Sequence, residues 1–261
     1  LQRPINDLVS SLNNLGADIS YKKNIGYPPL LIKGTELKKH KIAISGSVSS
    51  QYISSLLLIA PTLEKGLEIE IIEPLLSKPY IQMTLKVMQE MGIKSSWLNQ
   101  KISIAAQKYN ASSFTVENDW SGASFWYSFV ALSSSGSINI PYLQENSIQG
   151  DAILSEIYTS LGVKTTFKRN GINIKKCFDR VNSFKYNLSD YPDLALPIAV
   201  SCSGLGIECK LTGLDSLKHK ESDRLNCLKK ELEKFNISSQ VSSDSIIISG
   251  KQILKPTSKI I

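Results

Sequence analysis

The stretch TLKVMQEMGIKSS, residues 84–96, contains the end of a helix, a stop and the start of a strand. Its stop is Gly92, and glycine most readily adopts the left-handed conformation with which many helices end. The same order occurs three more times, with stops at Gly16, Gly162 and Asn236. Because successive stops are 76, 70 and 74 residues apart, the chain is predicted to repeat one supersecondary unit.

A second helix-to-strand junction recurs in the same rhythm, at Gly66, Gly136 and Gly206, which are 70 residues apart each time. A further strand is predicted after a turn in each unit, as in KISIAA at 101–106 and GINIKK at 171–176. One unit of about 72 residues therefore consists of a strand, a helix, a strand, a helix and two more strands. The predicted fold class is α/β, with repeated βαβαββ units.

Composition indicates a globular chain with affinity for anions. The 261 residues include 42% hydrophobic and 20% charged side chains, with no apolar run long enough for a membrane span. A net charge of +7 favours anionic ligands, but the lysines are scattered, and no nucleic-acid partner is expected. Four cysteines without CxxC spacing and two histidines make no zinc set, so reduced thiols in a cytoplasm are expected.

The predicted helix at SVSSQ, residues 47–51, begins with more hydroxyl groups than capping requires. A single serine would cap the helix, whereas Ser47, Ser49 and Ser50 come together with Gln51. Helix N-termini present backbone N–H groups and positive dipole character, so this surplus favours an anion site. Several such helix starts facing one cleft would bind phosphate or carboxylate groups.

Charges of both signs crowd a later helix start in LKHKESDRLNCLKKELEKFN, residues 217–236. One interpretation is a solvated helix entrance, where the helix dipole favours acidic side chains and Ser222 or Asp223 forms the cap. The other is an anion site, with Lys220 and Arg224 four residues apart on one face of the first turn. The charges alone leave both interpretations open.

Seven blocks follow one another along the chain and carry a family resemblance. They are RPINDLVSSLNNLGA (3–17), YPPLLIKG (27–34), SGSVSSQYISSLLLIAP (45–61), LLSKPYIQMTLKVMQEMGI (75–93), NSIQGD (146–151), YPDLALPIA (191–199) and KHKESDRL (218–225). Together they resemble the 5-enolpyruvylshikimate-3-phosphate synthase family. The resemblance implies two inside-out α/β domains of three βαβαββ units each. Residues 1–117 would be the later part of the shikimate-3-phosphate-binding domain, and residues 118–261 the earlier part of the second domain.

The resemblance also implies an activity, namely transfer of the carboxyvinyl group of phosphoenolpyruvate to the 5-hydroxyl of shikimate 3-phosphate, with phosphate release and without metal or organic cofactor. By motif, five residues of the first half would bind shikimate 3-phosphate. They are Ser49, Ser50, Gln51, Ser77 and Tyr80. Taken without the family, Ser77 is equally plausible as a helix cap, and Tyr80 is more typical of a half-buried aromatic.

Five further residues receive roles from the same resemblance. Asp193 would be the base at the 5-hydroxyl and Glu221 the proton shuttle at the vinyl carbon, whereas Asp193 could also be only a helix-entry residue. Lys220 would contact the shikimate part. Arg224 and Arg3 would bind phosphoenolpyruvate.

Other motifs of the family have no counterpart in this sequence, including its early Lys-Ser and Arg motifs, its late Asp-His-Arg motif and its final lysine. The chain also begins without methionine, so a fragment with little or no turnover is expected. The full-length family is usually monomeric, but unfinished sheets with uncovered apolar edges make self-association of this chain plausible. Two alternatives are a sibling enolpyruvyl transferase acting on a uridine-linked sugar and a non-catalytic anion-binding module.

Overall fold

In a computed structural model, residues 4–47, 49–72 and 74–250 are described. The chain divides into two compact units. One contains the chain up to Phe114 together with His219–Glu221, and the other contains the remainder. The predicted domain bounds, 1–117 and 118–261, place the division three residues beyond Phe114, where the main segment of the first unit ends.

The first unit contains one complete repeat, preceded by the last part of another. Its elements in chain order are α1 (Asn6–Leu15), β1 (Asp18–Tyr21), β2 (Leu30–Lys33), β3 (Lys41–Ser45), α2 (Ser50–Ile59), β4 (Leu67–Ile72), α3 (Lys78–Glu90), β5 (Ser96–Leu98) and β6 (Lys101–Ile104). Strands β1 and β2 pair antiparallel in a sheet of their own, and the other sheet has the order β3-β4-β6-β5. In this second sheet β3 and β4 are parallel, and the remaining pairs are antiparallel.

The second unit contains a partial and a complete repeat. Its elements are α4 (Trp120–Leu132), β7 (Ser137–Pro141), α5 (Leu154–Ile157), β8 (Val163–Lys168), β9 (Gly171–Lys176), β10 (Ser183–Asn187), α6 (Ala195–Leu205), β11 (Glu208–Thr212), α7 (Arg224–Glu233), β12 (Ser239–Val241) and β13 (Ile246–Ile248). The sheet β10-β11-β13-β12 has the same order and the same parallel first pair as β3-β4-β6-β5. The βαβαββ prediction is therefore confirmed for both complete repeats.

The predicted helix stops adopt the conformation on which the prediction rested. All seven have positive φ, at Gly16, Gly66, Gly92, Gly136, Gly162, Gly206 and Asn236. Two features disfavour a side chain at Gly66. Its φ is +69°, and an added Cβ would lie 2.1 Å from the Ile104 carbonyl oxygen. The stop is thus also the point where the backbone of β6 approaches β4.

One part of the repeat prediction is wrong. No strand precedes α4, since residues 105–119 are described and form none. Instead, the Asn118 backbone N–H donates to the Tyr142 carbonyl, and its side-chain amide donates to the Pro141 carbonyl. These bonds lie at and beyond the end of β7, so this segment does not pair along the sheet β7-β9-β8.

Helices α4 and α6 pack against each other in the second unit and contain no charged residue. The Ser128 hydroxyl donates to the Pro197 carbonyl across this contact, at 3.2 Å. The helices approach closely, because a Cβ added at Gly204 would lie 2.3 Å from Leu132 Cδ2. Side chains at the core of this unit include Trp120 and Tyr158, both fully buried.

Candidate functional site

The start of α2 carries three predicted ligands of shikimate 3-phosphate. Ser49 is the N-cap, but its side chain makes no capping hydrogen bond, and no acidic residue lies in the first turn. Ser50 is half-buried and Gln51 is exposed. Just before the helix, the Ser45 and Ser47 hydroxyl groups are hydrogen-bonded to each other at 2.8 Å. The Ser49 side chain therefore does not cap α2, although the Tyr52 backbone N–H donates to the Ser49 carbonyl at 3.1 Å.

The start of α3, in the same unit, has a similar character. Ser77 is the N-cap with a left-handed backbone, φ +57°, and its side chain makes no capping hydrogen bond either. Tyr80 is half-buried. The Thr84 hydroxyl donates to the Ser54 hydroxyl at 2.9 Å, which ties α3 to α2. A left-handed serine costs free energy, of the order of 1 kcal/mol, and such strain clusters at functional positions.

Two helices of the second unit, α4 and α7, have acidic side chains as their caps. The Asp119 carboxylate accepts hydrogen bonds from the backbone N–H groups of Ser121 and Gly122 at the start of α4. The Asp223 carboxylate accepts from the backbone N–H of Asn226 at the start of α7. These helix starts are thus occupied by their own acidic caps, whereas those of α2 and α3 lack such caps.

Two predicted site residues from distant segments meet in the second unit. Asp193 lies in the 3-10 turn Pro192–Leu194 before α6, and Arg224 is the first residue of α7. The Arg224 Nη1 donates to Asp193 Oδ1 at 2.7 Å. The Asp193 side chain is 34% exposed and the Arg224 side chain 28%, so the pair is open to solvent and to a ligand. Sequence reasoning gave both residues roles but did not predict this contact.

The predicted geometry of Lys220 and Arg224 is wrong. These residues do not share a helical turn, because Lys220 to Ser222 form a bend and α7 begins only at Arg224. The physical reason is the helix cap. The Asp223 carboxylate accepts the Asn226 backbone N–H, so α7 begins at the residue after Asp223 and Lys220 lies before the helix. Lys220 is half-buried and Glu221 is exposed. Of the two cap candidates, Ser222 and Asp223, the structure selects Asp223.

Arg3 lies outside the described residues, and its role stays a prediction. The next residue along the chain is described. The Tyr52 hydroxyl, in the first turn of α2, donates to the Pro4 carbonyl. This bond holds the chain at Pro4 next to the helix start that carries Ser49 and Gln51.

Sequence reasoning missed a network around the start of α4. Asp151 is only 1% exposed, and the Ser121 hydroxyl donates to its Oδ2 at 2.5 Å. The Gln149 side chain accepts from the Trp120 backbone N–H and donates to the Asn118 carbonyl, at 2.9 and 2.8 Å. The block NSIQGD contained two of these residues, but a spacing of about thirty residues gave no signal that they reach α4.

Over residues 4–47, 49–72 and 74–250, no three His, Cys, Asp or Glu side chains are grouped as a metal site would require. Within the same ranges, no helix combines the length and the apolar character that a membrane span needs.

Comparisons with known proteins cover nearly the whole chain. The family model described as EPSP synthase (3-phosphoshikimate 1-carboxyvinyltransferase) matches residues 1–259. A 3-phosphoshikimate 1-carboxyvinyltransferase of Bacteroides fragilis is 42% identical over 262 residues, covering 100% of this chain and 64% of the relative. One from Histophilus somni is 34% identical and covers 95% of this chain and 57% of the relative. The chain thus spans about three-fifths of the curated relatives that it matches.

Solved structures share the fold. EPSP synthase from Acinetobacter baumannii has a TM-score of 0.69 at 22% identity, over 95% of this chain and 57% of that one. The enolpyruvyl transferase NikO from Streptomyces tendae has a TM-score of 0.65 at 14% identity, over 96% and 59%. At these identities the likeness concerns the enolpyruvyl transferase fold alone.

Proposed function

The chain belongs to the EPSP synthase family, and on that premise we propose that it serves carboxyvinyl transfer from phosphoenolpyruvate to the 5-hydroxyl of shikimate 3-phosphate, with release of phosphate. The first unit binds shikimate 3-phosphate through Ser49, Ser50, Gln51, Ser77 and Tyr80. The start of α2 supports this assignment, because its first turn contains no acidic residue and the positive end of a helix dipole favours a phosphate there. The excess of basic residues supports it too.

The remaining residues take part in the reaction itself. Asp193 removes the proton of the 5-hydroxyl while the oxygen bonds to C2 of phosphoenolpyruvate, and Glu221 donates a proton to the CH₂ carbon. The resulting tetrahedral adduct loses phosphate from C2 and a proton from the new CH₃ group, which restores the double bond. Lys220 binds the shikimate part, and Arg224 and Arg3 offset the negative charge of phosphoenolpyruvate.

One observation carries this proposal, the 2.7 Å contact between Asp193 and Arg224. The family assigns the first residue to the hydroxyl and the second to phosphoenolpyruvate, and these two groups must meet for the new bond to form. A guanidinium has five N–H donors in one plane, so it can bind a carboxylate and a second anion together. The ion pair would thus join the two substrates at the reacting atoms.

Calorimetric titration with shikimate 3-phosphate tests the binding half, with shikimate and glycerol phosphate as control ligands. Saturable binding that needs both the ring and the phosphate is expected. Ser49→Ala and Ser50→Ala should each weaken it about tenfold, which corresponds to one charge-assisted hydrogen bond. Ser10→Ala, on the exposed side of α1, is the matched control and should bind as the unmodified chain does.

Phosphate release tests the chemical half. The chain alone is expected to show little or no turnover, so sustained phosphate release by the purified chain would contradict that expectation. Competition by a uridine-linked sugar would indicate the sibling transferase. In a longer family protein with the same site residues, Asp193→Ala and Glu221→Ala should abolish turnover and leave ligand binding largely intact. Full turnover in both variants would contradict the catalytic roles given to these two residues.

A further inference from the structure

Gly46 lies where the chain segments that lead into α2 and α3 touch each other. It is buried, and it follows β3 directly. Its backbone N–H donates to the Ile72 carbonyl at 2.9 Å, and its carbonyl accepts the Leu76 backbone N–H at 3.1 Å. These two hydrogen bonds join Gly46 to the end of β4 and to the residue that precedes Ser77.

The backbone packs too closely at Gly46 for any side chain. An added Cβ would lie 2.9 Å from each of three atoms, which are the Ile71 Cγ2, the Leu75 Cα and the Pro74 carbonyl oxygen. No positive φ is involved, so the close approach alone is the reason for glycine here. Two of the three atoms belong to the backbone between β4 and α3, and they cannot move without moving the segment that leads to Ser77.

Gly46 is also tied to the start of α2. The hydroxyl groups of its two neighbours, Ser45 and Ser47, are hydrogen-bonded to each other at 2.8 Å. The Ser47 backbone N–H also donates to Ser45 Oγ, at 3.3 Å. Gly46 therefore lies in a closed turn three residues before Ser49, and a displacement of this turn would reach the start of α2.

We propose that Gly46 is a positioning residue, which sets the distance between the starts of α2 and α3 so that one shikimate 3-phosphate binds to both. This inference rests on the proposed function, in which Ser49–Gln51 and Ser77 contact the same ligand. Hydrogen bonds to a ligand tolerate little displacement, because their donor–acceptor distances span only about 2.7 to 3.2 Å. Gly46→Ala would have to open the 2.9 Å contacts by about 0.5 Å to reach van der Waals separation, which is as large as that whole range.

Calorimetric titration of the chain with shikimate 3-phosphate tests the inference. Gly46→Ala should raise the dissociation constant more than about tenfold, because contacts at one of the two helix starts are lost. Gly66→Ala is the matched control, since its Cβ would lie even closer to backbone, 2.1 Å from the Ile104 carbonyl oxygen, but before the opposite end of β4. This control should lose stability and keep the affinity of the unmodified chain.

A second variant guards against a folding artefact. Ser45→Ala removes both hydrogen bonds of the turn without adding an atom, so it should raise the dissociation constant in the same direction, by about threefold. Circular dichroism establishes the temperature at which each variant is folded, and the titrations are compared there.

Amide NMR spectra of the ligand-free chain report the position of the α3 start without any ligand. Gly46→Ala should shift the resonances of Ser77, Lys78 and Tyr80, which follow it by 31 to 34 residues, whereas Gly66→Ala should leave them in place. Unshifted resonances in Gly46→Ala, or equal losses of affinity in Gly46→Ala and Gly66→Ala, would overturn the inference. Shifted resonances in a chain that does not bind shikimate 3-phosphate at all would support the positioning by Gly46 and refute the proposed function.

Discussion

Replacing Gly66 by alanine should destabilise the first unit far more than an ordinary glycine substitution. The left-handed backbone at φ +69° costs about 1 kcal/mol for alanine, after allowing for the smaller entropy of its unfolded chain. The added Cβ would also lie 2.1 Å from the Ile104 carbonyl oxygen and 2.8 Å from the Ala105 backbone. To relieve this contact, the backbone would have to move by about 1 Å. Because Leu67 and Ile104 are paired in the sheet, the movement would disturb their hydrogen bonds and packing and lower the unfolding free energy by about 2 kcal/mol more.

The expected total is therefore about 3 kcal/mol of unfolding free energy. Gly26→Ala is the matched control in the same unit, because φ is +88° but the nearest atom to its Cβ would be the Asn6 Cβ at 3.8 Å. This control should lose only about 1 kcal/mol. Hydrogen exchange of peptides from β4 and β6, followed against urea, reports both values. Equal losses in the two variants would show that the approach of Ile104 does not matter, and the steric argument would fail.

Three other predictions concern the second unit. Burial raises the pKa of Tyr127 to about 12 and also raises the pKa of Tyr158. Because these tyrosines lose their protons at lower pH in the unfolded chain, the urea midpoint of unfolding should fall as the pH rises from about 10 to about 12. The fall should be less steep in Tyr127→Phe, which lacks one of the two hydroxyl groups. Asp223→Ala should cost about 1 kcal/mol in the same urea assay, whereas Asp223→Asn, which can still cap α7, should cost little. A thiol reagent should modify the exposed Cys227 quickly and spare Cys202, whose pKa is raised by its Cys209 neighbour and by burial; equal labelling in the folded chain would contradict this.

The repeat was readable from sequence because its signals are local. A helix stop of this kind needs one residue that tolerates positive φ, and glycine and asparagine, here Gly92 and Asn236, are the residues that do so most readily. The paired strands that follow need only a turn and a short β-branched run. Local chemistry of this kind does not depend on what the rest of the chain does.

Contacts between distant segments were not readable. Asp193 and Arg224 are 31 residues apart, and no spacing rule joins a turn before α6 to the first residue of α7. The start of α7 was misplaced for a related reason, since charge patterning does not say which carboxylate caps a helix. No strand forms before α4 because the Asn118 hydrogen bonds are made at and beyond the end of β7, and no sequence pattern indicates these partners.

The network around Asn118, Gln149 and Asp151 determines where the chain can be divided. Hydrogen bonds attach Glu117, Asn118, Trp120 and Ser121 to the segment between Pro141 and Asp151. A truncation that began at Trp120, where α4 begins, would remove Glu117 and Asn118 with their hydrogen bonds. The Gln149 side-chain N–H group would then lose its acceptor, the Asn118 carbonyl. A truncation that began at Thr115 would keep them all. For anyone cutting this protein into separate modules, the boundary is thus set by side-chain anchoring and precedes the first residue of the helix.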